Sequence, residues 1–359
     1  MHTRRQASRD AGFTLIEILI GIVLVGVLSA VVVVGVGSLT SNGSAASCSA
    51  SLDATRAALN TSLGTDGRTA TTFTPLVSSG ALSLPAGVTM QADGHTLSAA
   101  GWTLTMSGTT PTLACSTGTP WTPAQLGPDV AMWVDATTVA GSDGSEVASW
   151  SSAGTAAVTP AAAASPWTRP TLAASGIGAR PSVRFDGIDD VLLFDGSFLV
   201  GTDFTVAAVT AREAAFGAGY YIGGAGNGNV GTSFILGRAG DTAVRYSHRN
   251  DGFNATVPTF TTVTPTMHVA MSSSVSRNLW IDGTGSGGAG PLPLSTWSNA
   301  GIGRDSSGSY RGLVGEIVIV TKALSTSDRQ KLEGYLAWKW GTASTLPASH
   351  PYRSTPPTV

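Results

Sequence analysis

Charge is scarce in this sequence: 12% of its 359 residues are Asp, Glu, Lys or Arg, about half the share usual in soluble domains. Glutamate occurs five times, at Glu17, Glu146, Glu213, Glu316 and Glu333, and the net charge is −2. With no basic field and no run of like charges, the chain has no electrostatic footprint for nucleic acid. The five histidines, His2, His95, His248, His268 and His350, fall at no metal-binding spacing. Neither a G-x-S-x-G elbow nor a phosphate-binding loop is present. Cysteine is reduced to Cys48 and Cys115, which read either as one disulfide or as two free thiols. Small residues are abundant instead, including 45 glycines, which suits short strands and turns.

One long apolar run breaks the pattern. Residues 1–12, MHTRRQASRDAG, are polar and basic, and residues 13–37 are almost wholly apolar. Ile18–Val36 carries no charge and can cross a hydrocarbon core of about 30 Å. The basic leader places the N-terminus on the cytoplasmic side and everything after residue 40 outside. A secretory signal would have an apolar core of about 7–15 residues. A plain signal anchor gives no reason for Glu17 within the run, where a charge costs about 2.5 kcal/mol or more.

The segment G-F-T-L-I-E, Gly12 to Glu17, resembles the class III signal of type IV prepilins and type II secretion pseudopilins. The resemblance implies cleavage between Gly12 and Phe13 by a prepilin peptidase, then N-methylation of the Phe13 amine. It also implies that Glu17 pairs with the charged N-terminus of a neighbouring pilin subunit, registering one subunit on the next. The expected location is a single-pass membrane protein before assembly, then the cell surface in a pilus or pseudopilus.

Beyond the apolar run, Ser44–Leu63 keeps helical spacing, with Leu52, Leu59 and Leu63 near one face and Asp53 and Arg56 elsewhere. Residues 69–115 read as a small β region, with Trp102–Met106 and Thr112–Cys115 predicted to pair as a hairpin. In pilins the first helix runs from the membrane into the head, and this segment looks like its second half. The placement of the cysteines resembles that in small pilin heads, which favours a Cys48–Cys115 bridge stapling sheet to helix. Residues 116–128, STGTPWTPAQLGP, read as a stiff, exposed linker.

Short apolar runs between turns then recur: Val130–Asp135, Glu146–Trp150, Ser182–Phe185, Val191–Phe194, Phe204–Ala211, Ser233–Leu236, Val244–His248, His268–Met271, Leu279–Ile281 and Leu313–Val320. They predict a two-sheet sandwich or jelly roll. One helix follows, opened by a capping box at Ser325 and Asp328 and closed by Gly341. PDVAMWVDA (Pro128–Ala136), RPSVRFDGIDDVLLF (Arg180–Phe194) and Arg311–Gly341 resemble concanavalin A-like, laminin-G-like jelly rolls of bacterial surface proteins. The expected organisation is a leader (1–12), a transmembrane or filament-core helix (13–40), an α+β pilin-like head (41–115), a linker (116–128) and an all-β sandwich with a C-terminal helix (129–352).

That resemblance implies binding of carbohydrate or surface protein, and in some related folds glycoside hydrolysis. The E-x-D-x-x-E of glucanase relatives is missing, and the expectation is that the chain is not an enzyme. Asp186, Asp189 and Asp190 in D-G-I-D-D read as a turn or as part of a Ca²⁺ site, the metal that laminin-G-like relatives often carry. No other cofactor is implied. The loop stretches Gly217–Ser233, Tyr246–Asn254 and Gly303–Arg311 hold the candidate ligand contacts, with Tyr220, Tyr221, Asn227, Arg249, Asn250 and Asp251 singled out. The function expected is a minor pilin or pseudopilin displaying a lectin-like adhesive domain. The alternatives are a type II secretion pseudopilin that recognises cargo and a pilin-anchored glycosidase.

Overall fold

A computed structural model describes residues 46–64, 69–99, 101–108, 111–162, 169–215, 217–224, 229–257, 263–306 and 308–359. The leader, the apolar run, Gly12, Phe13, Glu17 and Asn227 lie outside the described residues. Among the described residues no helix is long and apolar enough to cross a membrane.

The first helix, α1 (residues 46–64), lies against an antiparallel four-stranded sheet in the order Thr89–Met90, Thr96–Ala99, Trp102–Ser107, Thr112–Thr117. The predicted hairpin pairs Leu104 with Cys115 and Thr103 with Ser116. Strand alternation sends Leu97, Trp102, Leu104 and Met106 toward the helix, where they pack with Cys48, Ala58, Phe73 and Leu76. The face that α1 buries is not the leucine stripe that the sequence suggested. Cys48, Ser51, Thr55 and Ala58 are buried, Leu52 and Leu59 are half-buried, and Leu63 is exposed. Small residues let the helix approach the sheet closely enough for the Cys48–Cys115 disulfide, whose Cα atoms are 5.9 Å apart. A short helix, α2 (Phe73–Ser78), closes the head with Phe73 and Leu76 buried.

The rest is a two-sheet antiparallel sandwich. One sheet runs Thr284–Ala289, Arg277–Ile281, Pro265–Ser272, Phe204–Arg212, Arg311–Val320, Ser182–Asp186 and Thr171–Ala173, with Val130–Asp135 also paired to Arg311–Val320. The other runs Gly252–Thr256, Ala243–His248, Phe234–Ala239, Ala218–Gly224, Ala300–Ile302, Leu192–Phe194 and Ala161–Ala162. Phe204–Arg212 is buried along its whole length, and Arg311–Val320 in all but its first residue. The second sheet packs on one side, and α3 (Thr326–Trp340) covers the other with Leu332, Leu336 and Trp340. The caps of α3 match the sequence: Ser325 Oγ accepts from the Asp328 amide, and Gly341 takes φ 75°.

Two sequence expectations fail here. Glu146–Trp150 is not a strand. Its amides at Val147 and Trp150 donate to the carbonyls of Pro170 and Pro160, and proline has no N–H to return the bond, so no ladder forms. The stretch read as an exposed linker is largely held in place: Trp121 and Leu126 are buried in the sandwich core. Burying an indole and an isobutyl group outweighs leaving them in water. The C-terminal tail closes over them, with the Trp121 amide donating to the Pro357 carbonyl and the Val359 amide to the Thr119 carbonyl.

Candidate functional site

The outer face of the second sheet carries a cleft of about 580 Å³. Gly223 pairs with Gly301 and Gly301 with Leu193, so two adjacent glycines and a leucine form an outward-facing row. The glycines leave a recess into which the next hairpin, Arg304–Asp305 paired to Gly308–Ser309, folds back. A Cβ on Gly223 would lie 2.5 Å from the Asp305 Cβ, so that close approach requires glycine. Val191, Leu193 and Phe194 give the cleft an apolar floor, while Ser298, Asn299, Arg304 and Ser306 give it polar groups. An apolar surface with a few placed polar groups suits a ligand that has both kinds of face.

Only part of the sequence-derived ligand set reaches this region. Arg249 does: its guanidinium donates to Ser306 Oγ at 2.5 Å and lies 3.9 Å from the buried Asp305 carboxylate. Arg249 and Asn250 both have positive φ, 36° and 56°, and form the tight turn joining Ala243–His248 to Gly252–Thr256. Asp251 braces that turn, pairing with Arg277 at 3.1 Å. Tyr220 is mostly covered and lies over Gly237. Tyr221 corrects the loop reading outright. It is fully buried in a strand, stacks on His268 at 5.5 Å and bonds its Nδ1 at 3.0 Å, so it offers no ring to a ligand. The misreading came from the flanking glycines, which here mark close strand packing rather than a loop. Leu193, Ser298 and Asn299 were missed, since nothing in their local sequence marks them.

Glu316 is fully buried between the first sheet and α3. It accepts from Trp133 Nε1 at 2.6 Å, Tyr335 OH at 3.0 Å and Trp340 Nε1 at 2.7 Å, and Lys339 Nζ is 2.8 Å away. Burial pushes its carboxyl above the usual range, while Lys339 pulls the other way. Asp135 binds the same ammonium, so the two acids straddle one cation. The Asp186, Asp189 and Asp190 carboxylates lie within 4.8 Å of one another. Oxygens of this kind are what a hard divalent cation takes, though Ca²⁺ needs about six to eight of them. The turn has its own bonds as well: Ile188 N donates to Asp186 at 2.7 Å and Asp186 N to Asp190 at 2.8 Å.

Residues 7–33 match the prokaryotic N-terminal methylation motif. The chain joins that motif to a β-sandwich. No curated protein matches it in sequence. Among solved structures, it is similar to the Trypanosoma rangeli sialidase in complex with sialic acid, at 13% identity and TM-score 0.43, over 68% of this chain and 43% of that one. The chain therefore spans less than half the length of that sialidase. Domain 4 of the Geobacillus stearothermophilus arabinanase AbnA, in complex with arabinotriose, aligns at 14% identity and TM-score 0.33, over 56% of this chain and 87% of that one. The Ruminococcus gnavus IT-sialidase CBM40 bound to α2,3-sialyllactose aligns at 11% identity and TM-score 0.34, over 41% and 92%. No residue role is carried over from these partial likenesses. They do correct one expectation: with sialidases among the similar structures, the exclusion of enzyme activity does not stand.

Proposed function

We propose that this chain is a minor pilin or pseudopilin that displays its sandwich as a carbohydrate-binding, adhesive module, with the cleft around Leu193 and Asn299 as the ligand site. The methylation motif at residues 7–33 is the observation that carries the filament half of this reading. In it, residues 13–40 anchor the chain, residues 41–115 form the head, and residues 129–352 are held outward. Cleavage follows Gly12, Phe13 becomes the methylated N-terminus, and Glu17 pairs with the neighbouring subunit's amine. The cleft supports the binding half: its apolar floor suits the C–H face of a sugar ring, and Ser298, Asn299 and Ser306 suit its hydroxyls.

The test is a glycan array probed with the full chain in nanodiscs, with and without Ca²⁺. Saturable binding that Asn299→Ala or Leu193→Ser removes supports the cleft. A blank array from folded protein sinks the adhesin reading and moves weight to cargo recognition in a type II secretion system. Release of free sugar from a bound glycan in the same assay would mark a glycosidase.

A further inference from the structure

Asp135 and Glu316 stand directly opposite each other on neighbouring antiparallel strands, so both side chains leave the same face of the sheet. Lys339, in the last turn of α3, reaches onto that face. Its Nζ donates to Asp135 Oδ2, to Glu316 Oε2 at 2.8 Å and to Tyr335 OH at 3.1 Å. The Lys339 and Asp135 side chains are 14% and 15% exposed, and that of Glu316 is fully buried. Two acids facing each other across a ladder repel, and one ammonium does not neutralise both.

The two oxygens of Asp135 have different surroundings. Oδ1 accepts from the Thr137 amide at 2.9 Å and from the Thr137 hydroxyl at 2.8 Å, while Oδ2 faces the amine. Donors on one oxygen and a nucleophile at the other suit attack on the carboxyl carbon. The first oxygen can carry the charge of a tetrahedral centre, and the second can depart. Glu316 touches the amine and is fixed by donors from Trp133, Tyr335 and Trp340. Burial raises its carboxyl above the usual range, so it is a stronger base than a solvated carboxylate. Fixed contact between amine and acid, away from bulk water, favours their condensation over hydrolysis of the product.

We propose that Lys339 and Asp135 condense into an intramolecular isopeptide bond, with Glu316 as the proton carrier. The ammonium gives a proton to Glu316, and the freed amine pair attacks Asp135 Cγ. The Nζ–Cγ bond forms and the Cγ–Oδ2 bond breaks. Glu316 relays two of the three ammonium protons to Oδ2, which leaves as water, and the third stays on the amide nitrogen. Glu316 ends as it began, and no oxidant or co-reactant is consumed. The bond ties Val130–Asp135 to α3 across 204 positions of the chain and is independent of the outer cleft.

Mass spectrometry of the full chain, purified in detergent, then denatured and reduced, tests this directly. The wild type should weigh one water less than its sequence and N-terminal processing dictate, and its digest should contain a branched peptide joining Asp135 to Lys339. Lys339→Arg keeps the charge without a primary amine, and Glu316→Gln keeps the shape without the base. Both should return to full mass and lose the branched peptide. A wild type of full mass overturns the proposal, whether or not the variants fold. So does loss of one water without the branched peptide, as an aspartyl succinimide would give. A branched peptide at wild-type yield in Glu316→Gln overturns the role of Glu316.

Discussion

At the scale of single residues, the buried polar groups set the chain's response to mutation and pH. Glu316 satisfies two indoles, a phenol and an ammonium at once. Glu316→Ala leaves Lys339 with Asp135 as its one carboxylate partner and leaves the two indole N–H groups and the Tyr335 hydroxyl without their acceptor. We expect a loss of about 3–5 kcal/mol in urea unfolding, with Glu316→Gln losing less. His248 and His268 are buried neutral, and burial, aided by Arg277 and Arg238 respectively, pushes them down to about 4 and about 3. Unfolded histidines take up protons near pH 6.5 while these do not, so the unfolded state gains on acidification. Their contribution is complete above about pH 6.5 and shrinks as pH falls toward 4. Asp282, raised to about 6 by burial, acts in the opposite sense below that value and offsets part of the loss. Thermal melts from pH 7.5 to 4.5 should show falling stability, and His268→Gln should flatten the slope. At this scale nothing in the sequence around Glu316 shows its four partners, which come from Val130–Asp135 and α3. The cleft residues were not legible, because glycine pairing across strands brings them together.

At the scale of elements, α3 and the long inner strands could be read directly. A capping box, an i, i+3, i+4 face and a closing glycine specify the helix without tertiary help. Phe204–Arg212 and Arg311–Val320 announce themselves as apolar runs because both of their faces are covered. Thr284–Ala289, Ala218–Gly224 and Gly252–Thr256 did not, since their small or polar residues gain strand character only from the neighbours that pair with them. Gly341 ends α3 at φ 75°, and a Cβ there would come within 2.7 Å of the Gly108 backbone in the head. Gly341→Ala should therefore lower the melting temperature and loosen the head against the sandwich, whereas Ser325→Ala should cost only about 1 kcal/mol of helix capping. Limited proteolysis near residue 118 separates the two: faster cleavage is expected in the first variant and an unchanged rate in the second.

At the scale of the whole molecule, the head core and the sandwich core are separate clusters joined by covalent chain, by the Arg180–Asp93 pair and by the C-terminal tail. The head is the smaller and depends on its disulfide, which closes a loop of 67 residues. Chain entropy assigns such a bridge about 4 kcal/mol. Reduction, or the Cys48→Ser and Cys115→Ser pair, should split thermal unfolding into an early head transition and a later sandwich transition in calorimetry. A single unchanged transition would show that the sandwich alone holds the head. For assembly, Glu17→Ala should block filament incorporation while leaving cleavage after Gly12 intact, read by mass spectrometry of the N-terminus and by shearing of surface filaments.

The sequence by itself determined the N-terminal methylation motif and the all-β character of the larger part. Those depend on local signals: a charge inside an apolar run, strand-length alternation, caps and turn residues. Tertiary structure alone decided which surfaces can meet a ligand. Tyr221 moved from an expected loop into the core, the Pro-rich linker became a strap anchored by Trp121 and Leu126, and Leu193 and Asn299 came to line one cleft from segments far apart in sequence. Pairing partners and close approaches between glycines are properties of three-dimensional register, and no window of sequence contains them.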